Sequence, residues 1–234
     1  LFILAMVKVT GDFEKAIRES SKILAIRGRV VPSTLKKVSL VALHRDGTRT
    51  EGESNITKVK SPVQRLFLKP ENCGATEDAL HAIEQADAIV VGPGSLYTSL
   101  LPNLLIEDIA SAMARSSAPK IYICNAMTQP HETDTFTAFD HVNALVEHCR
   151  PEVLSHVIVN RAPIPADAQR RYAEEEAFPV TNDAQRIRDL GYAVVEDNII
   201  QCSDMVRHNP RRVTKIIGEI VQQHKKSGAS SRRQ

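Results

Sequence analysis

Two polar loops hold the side chains in this sequence that could do chemistry. The first is Gly92-Pro-Gly-Ser-Leu-Tyr-Thr-Ser99. Gly92 and Gly94 permit positive φ and close approach of a ligand to the backbone, while Pro93 stiffens the turn between them. Ser95, Thr98 and Ser99 add hydroxyls, and Asn103 follows on the next turn. Backbone N–H groups combined with hydroxyls cradle phosphate. The pattern is neither a Walker A loop nor a dinucleotide fingerprint, since Gly94 is followed by no Gly-Lys-Ser/Thr and no third spaced glycine. The same residues would also make a plain strand-to-helix turn with a capping serine.

The second loop reads Asn125-Ala-Met-Thr-Gln-Pro-His-Glu-Thr-Asp134. Asn125, Thr128, Gln129 and Thr133 offer donors and acceptors without fixed charge, suited to sugar hydroxyls or a base edge. Glu132 and Asp134 are carboxylates that could hold a metal such as Mg2+ on a pyrophosphate, though no residue is assigned as a metal ligand and no cofactor is fixed. The alternative is a long surface loop whose Asn, Thr and Asp residues make turns. No residue is assigned a catalytic role. Ser95 lacks a Gly-x-Ser-x-Gly elbow and a histidine placed to serve it. His141 and His148, seven apart on one helix face, have no third ligand at suitable spacing and read as a satisfied pair on a helix surface.

These loops need a scaffold that brings them together. Ala88–Val91 is continuously apolar, as in a strand buried on both faces of a parallel sheet, and ends at Gly92. Ile121–Cys124 runs into the second loop in the same way. Successive parallel strands present their loops on one edge, where open α/β sheets bind ligands. From Thr76 the rhythm is helix, strand, helix, strand: helices 76–86, 106–115, 139–148, 167–178 and 183–190, strands 88–91, 120–124, 156–159 and 193–195, and a closing helix 210–224 with Pro210 near its start. This alternation predicts a Rossmann-like, three-layer α/β domain with a mostly parallel sheet, spanning residues 1–222, with a polar disordered tail at 223–234.

Upstream, residues 36–69 alternate like antiparallel strands around an Asp46-Gly47 hairpin turn, extending or capping the main sheet. Before them, residues 1–9 read as a buried helix. A second helix follows Asp12, with Phe13, Ile17, Ile23, Leu24 and Ile26 as its apolar stripe. The start is apolar, lacks an initiator Met, and reads as the interior of a helix whose upstream partner is missing, as in a fragment.

Bulk properties narrow the function. The net charge is +2, and setting aside the four positive charges of residues 225–234 leaves −2. With no Trp and 4% aromatics, neither a basic surface nor a base-stacking platform for nucleic acid is implied. No stretch reaches the roughly 18 apolar residues of a membrane span. Cys73, Cys124, Cys149 and Cys202 are scattered without a Cys-x-x-Cys pair, which favours reduced thiols and a cytoplasmic location.

Gly92-Pro-Gly-Ser-Leu-Tyr-Thr-Ser-Leu-Leu-Pro-Asn-Leu-Leu105 and Cys124-Asn-Ala-Met-Thr-Gln-Pro-His-Glu-Thr-Asp134, followed by Asp140-His141, resemble the bacterial gluconeogenesis factor (YvcK-like) family. That family shares the CofD-like fold with 2-phospho-L-lactate transferase. Thr10-Gly-Asp-Phe13, Ile26-Arg-Gly-Arg29 and Pro32 extend the resemblance over about residues 1–220. It implies a cytosolic regulatory protein that binds a UDP-sugar, UDP-N-acetylglucosamine first among them. Such proteins are linked to growth on gluconeogenic carbon sources, cell shape and cell-wall synthesis. The partners expected are the nucleotide sugar, a second copy of the chain, and cell-wall synthesis proteins. Two other readings stand beside it: a transferase moving a phospholactyl group from a nucleotide diphosphate carrier to a deazaflavin, and a scaffold that binds no ligand. The chain departs from the family pattern in three places. The first strand and its Gly-Gly-Gly-Thr-Gly loop, expected upstream, are absent, and His131 and Thr135 stand where glycine is expected. A β-carbon at either is costly if φ there is positive.

Overall fold

The computed structural model describes residues 2–23 and 28–231. Helices α1 (Phe2–Thr10) and α2 (Phe13–Ile23) lead into an antiparallel section. This comprises β1 (Ser39–His44), β2 (Arg49–Glu51), the helical turn α3 (Glu53–Ile56) and β3 (Val63–Lys69). The αβ rhythm follows with α4 (Glu77–Glu84), β4 (Ile89–Val91), α5 (Leu101–Leu104), α6 (Glu107–Arg115) and β5 (Lys120–Ile123). It continues through α7 (Ala138–His148), β6 (His156–Asn160), α8 (Ala166–Glu174), α9 (Ala184–Asp189) and β7 (Ala193–Asp197). A two-stranded ribbon, β8 (Ile200–Cys202) and β9 (Val206–His208), precedes the long helix α10 (Pro210–Ser231).

Strands β4 to β7 form one parallel sheet in sequence order. Strand alternation divides its side chains between two helical layers. Tyr122, Val157 and Val159 join Leu101, Leu104, Val142 and Leu145 on one face, while Ile121, Ile123 and Ile158 meet Val213, Ile216 and Ile220 of α10 on the other. Each such side chain taken from water contributes about 1.5–3 kcal/mol. The sheet is therefore the middle of three layers, and its short central strands are apolar on both sides because both sides are covered.

The section expected to be antiparallel forms a separate sheet, in the order β2-β1-β3, which caps one helical layer. Its turn is made as the Asp-Gly pair requires: Gly47 has φ +85° and the Thr48 N–H donates to Asp46 Oδ1 at 2.9 Å. Ala42, Leu66 and Leu68 enter the same core as α5 to α7. His148 clamps this sheet to α7, accepting from the Leu66 N–H at Nε2 (3.0 Å) and donating from Nδ1 to the Ala144 carbonyl (2.7 Å).

Several expectations need correction. Helix α1 forms, yet none of its residues is buried, because its packing is against α2. In α2, Ile17 is buried while Phe13 and Ile23 are exposed, and Leu24 and Ile26 lie outside the described residues. The helix expected at 167–178 stops at Glu174, since Glu176 turns left-handed with φ +57° and the Ala177 N–H folds back onto the Tyr172 carbonyl at 2.9 Å. Helix α10 continues to Ser231 through residues expected as a polar tail, with Lys225 paired to Asp87 at 2.9 Å. The four cysteines are free, and among the described residues no helix is long and apolar enough to cross a membrane.

Candidate functional site

The parallel register of β4 and β5 carries both polar loops to the carboxyl edge of the sheet, side by side. Gly92 leaves β4 with φ +90°, and a β-carbon there would sit 3.2 Å from the Ile123 carbonyl oxygen, so close strand-to-loop packing requires the glycine. Gly94 is not in a left-handed conformation; a β-carbon there would meet Leu100 and Ser99 of the following turn. That turn, Leu96–Leu100, is a π-helical step into α5, in which the Leu100 N–H reaches the Ser95 carbonyl at 3.0 Å. Such single wide turns recur at functional sites. The Ser95 hydroxyl does not cap the turn.

Side-chain hydrogen bonds join the loops. Gln129 Nε2 donates to Ser95 Oγ at 2.8 Å, Asn125 Nδ2 to the Gly94 carbonyl at 3.1 Å, and the Thr98 hydroxyl to Glu132 Oε1 at 3.1 Å. The other end of the Asn125 amide accepts from the buried Tyr122 hydroxyl at 3.5 Å, so its orientation is fixed from both sides. A cleft of about 260 Å³ opens over this seam, lined by Gly94, Ser95, Asn125 and Gln129 on one wall and Met127, Tyr172, Val206 and His208 on the other. Ser95 Oγ, already an acceptor, keeps its proton for a further bond. His208 Nε2 lies 3.1 Å from the Cys124 carbonyl, and burial lowers the pKa of this imidazole.

The eleven residues singled out in the sequence divide into three groups. Gly94, Ser95, Asn125 and Gln129 line the cleft. Gly92, Thr98, Thr128, Glu132 and Thr133 lie behind it and shape the loops. Thr128 and Phe178 exchange two hydrogen bonds, Thr128 N–H to the Phe178 carbonyl at 2.7 Å and Phe178 N–H to Thr128 Oγ1 at 2.9 Å. Thr133, fully buried, accepts from the Gln129 N–H at 2.9 Å. Ser99 and Asn103 turn away: Asn103 donates to the Ser99 carbonyl and accepts from the Ser33 hydroxyl at 2.6 Å.

Glu132 is 3% exposed, and burial pushes its carboxyl above the usual range against the lowering effect of the Thr98 hydroxyl. Its Oε2 and the Oε1 of Gln129 are buried without partners. Glu132 and Asp134, the two carboxylates that could hold a metal, lie in different surroundings. Asp134 lines a separate groove of about 690 Å³ with Arg45, Asp140, Asn143 and Glu147, between β3 and α7. Among the described residues no group of three or more His, Cys, Asp or Glu side chains has metal-holding geometry. That groove is the larger cavity, but the loop seam is where hydroxyls, amides and backbone converge. His141 and His148, expected on a helix surface, are buried; each donates from Nδ1 to a carbonyl of its own helix, and His141 Nε2 has no partner. The suspected strain is present, with φ +67° at His131 and +63° at Thr135.

The opposite wall was not legible in the sequence. Strand β9 is three residues long, too short for periodicity to show, and Tyr172 belongs to a largely polar helix.

The family model described as 2-phospho-L-lactate transferase CofD matches residues 1–200. The chain is 44% identical over 220 residues to a putative gluconeogenesis factor of Nostoc sp., covering 93% of this chain and 48% of that protein. It is 41% identical to the gluconeogenesis factor of Halalkalibacterium halodurans, covering 94% and 68%. Against the gluconeogenesis factor of Bacillus subtilis it is 39% identical, covering 95% and 71%. The chain thus spans about half to two thirds of the length of these relatives. A crystal structure of a UPF0052 family member from Bacillus halodurans superposes with a TM-score of 0.89 at 41% identity, covering 92% of this chain and 70% of that one.

Proposed function

The chain belongs to the gluconeogenesis factor family within the CofD group, and from that premise we propose that it is a regulatory protein that binds a nucleotide sugar, UDP-N-acetylglucosamine being the ligand to test first. The observation that carries the reading is the seam of Gln129–Ser95 and Asn125–Gly94 hydrogen bonds, which joins a glycine-serine turn to a loop of neutral amides at the carboxyl edge of the sheet. In this reading the diphosphate lies on the backbone N–H groups around Gly94 and Ser95. The cleft, lined by uncharged donors and acceptors, takes the sugar. Its 260 Å³ falls below the roughly 300–1,000 Å³ that holds a drug-sized ligand, so it suits one ring of the conjugate. The cellular role in this reading is the one the family resemblance implies: growth on gluconeogenic carbon sources, cell shape and wall synthesis.

The description of the matching family model favours a second reading, transfer of a phospholactyl group from a nucleotide diphosphate carrier to a deazaflavin. Titration calorimetry with UDP-N-acetylglucosamine, beside an assay of the protein with deazaflavin and activated phospholactate, separates the two. Binding without turnover is expected. Turnover in the second mixture would replace the regulator with a transferase, and binding in neither would leave a scaffold.

A further inference from the structure

His208 reaches the cleft from β9, a strand distant in sequence from both polar loops. Its tautomer follows from one contact. The Cys124 carbonyl can only accept, so Nε2, 3.1 Å away, must carry the hydrogen. A neutral ring with Nε2–H leaves Nδ1 with a lone pair, and Nδ1 makes no hydrogen bond among the described residues. Burial favours this neutral form. His208 lines the same cleft as Ser95 with its ring held from the end of β5, so a free acceptor and the Ser95 Oγ–H donor belong to one cleft. A phosphate has no use for a neutral acceptor; a hydroxyl or an amide N–H does.

We propose that His208 selects the sugar of the bound nucleotide sugar, its Nδ1 accepting a hydrogen bond from a ring hydroxyl or an N-acetyl N–H. This rests on the nucleotide-sugar reading and adds to it the residue that tells a sugar conjugate from the bare nucleotide. Glutamine can reproduce both roles, donating to the Cys124 carbonyl and accepting from the ligand, whereas leucine can do neither.

The test measures the Kd of UDP-N-acetylglucosamine and of UDP for the parent, His208→Gln and His208→Leu, using the protein at its full natural length. Thermal melts would confirm that each variant is folded. The parent should bind the sugar conjugate more tightly than UDP. His208→Leu should weaken the conjugate about tenfold, equivalent to about 1.4 kcal/mol, while leaving UDP within about twofold. His208→Gln should stay close to the parent for both probes. A parent that binds neither probe overturns the nucleotide-sugar reading itself. A parent that binds both equally, a leucine variant unchanged for the conjugate, or one weakened equally for both probes overturns the role of His208 alone. If glutamine behaves like leucine, the imidazole matters by shape and the hydrogen-bond assignment is wrong.

Discussion

The two glycines of the first loop should respond differently to alanine. At Gly92 the backbone is left-handed, φ +90°, which costs an L-residue roughly 1–2 kcal/mol. The new β-carbon would also lie 3.2 Å from the Ile123 carbonyl oxygen, which is backbone at the end of a hydrogen-bonded strand and has little freedom to move. Crowding of this kind adds about 1–3 kcal/mol. At Gly94 the backbone carries no such strain, and the neighbours are Leu100 Cδ2 at 3.1 Å and Ser99 Cβ at 3.3 Å. A leucine terminus can yield by a few tenths of an ångström, so the cost falls near the bottom of that range. Each alanine recovers about 0.4–1 kcal/mol from the less flexible unfolded chain. Gly92→Ala should therefore lose about 2–3 kcal/mol and Gly94→Ala about 1 kcal/mol or less. Urea unfolding followed by circular dichroism, with unchanged m-values, reads both. Folded Gly94→Ala keeps its backbone N–H and should bind UDP-N-acetylglucosamine within about threefold of the parent. The opposite order of stabilities, or a Gly92→Ala loss under about 1 kcal/mol, would show that the close approach of this loop to β5 is not as described.

Further expectations concern the second loop and the buried histidines. Thr135 is exposed and carries φ +63°, so Thr135→Gly should stabilise by about 0.5–1 kcal/mol after allowing for the flexibility of glycine, raising Tm by about 1–4 °C; a fall in Tm would contradict it. Gln129→Leu removes a buried oxygen that has no partner along with the bond to Ser95, so stability should change by less than about 1 kcal/mol while UDP-N-acetylglucosamine binding drops about tenfold. Calorimetry showing unchanged affinity would count against the seam. Burial holds His141 and His148 below the ordinary value of 6.5, so below that pH the unfolded chain takes up protons first and stability falls. Glu132 is raised from 4.5 by burial, so the folded chain holds that proton more tightly and returns part of the loss just above 4.5. The urea midpoint should therefore be lower at pH 6.0 than at pH 7.5, with a shallower change in His148→Gln; a midpoint that rises toward pH 6.0 would refute this.

Much of the scaffold was legible because its signals are local. Apolar runs such as Ile121–Cys124, bounded by polar bursts, mark strands covered on both faces, and Asp46-Gly47 dictates its own turn. Two parallel strands in succession then place their loops together by geometry alone. The placement of side chains was less legible, since it depends on contacts distant in sequence. Thr128 looks as available as Asn125 in the sequence, yet the backbone of Phe178 occupies it from fifty residues away. Glu132 and Asp134 are two residues apart, yet Glu132 is buried behind the cleft while Asp134 lines the separate groove. Helix α1 reads as core from composition, but its exposure is decided by which elements pack on it, and that is not a property of its own residues. His208 was invisible for the same reason: a three-residue strand carries no periodicity, and only the fold brings it to Cys124.

The central claim is that the seam between the two loops seats a nucleotide sugar, and a crystal structure of the protein grown with UDP-N-acetylglucosamine tests it most directly. Density is expected for the diphosphate on the backbone around Gly94 and Ser95, with the sugar in the cleft between Gln129 and His208. Density for the conjugate in the groove lined by Arg45 and Asp134, with the loop cleft empty, would contradict it.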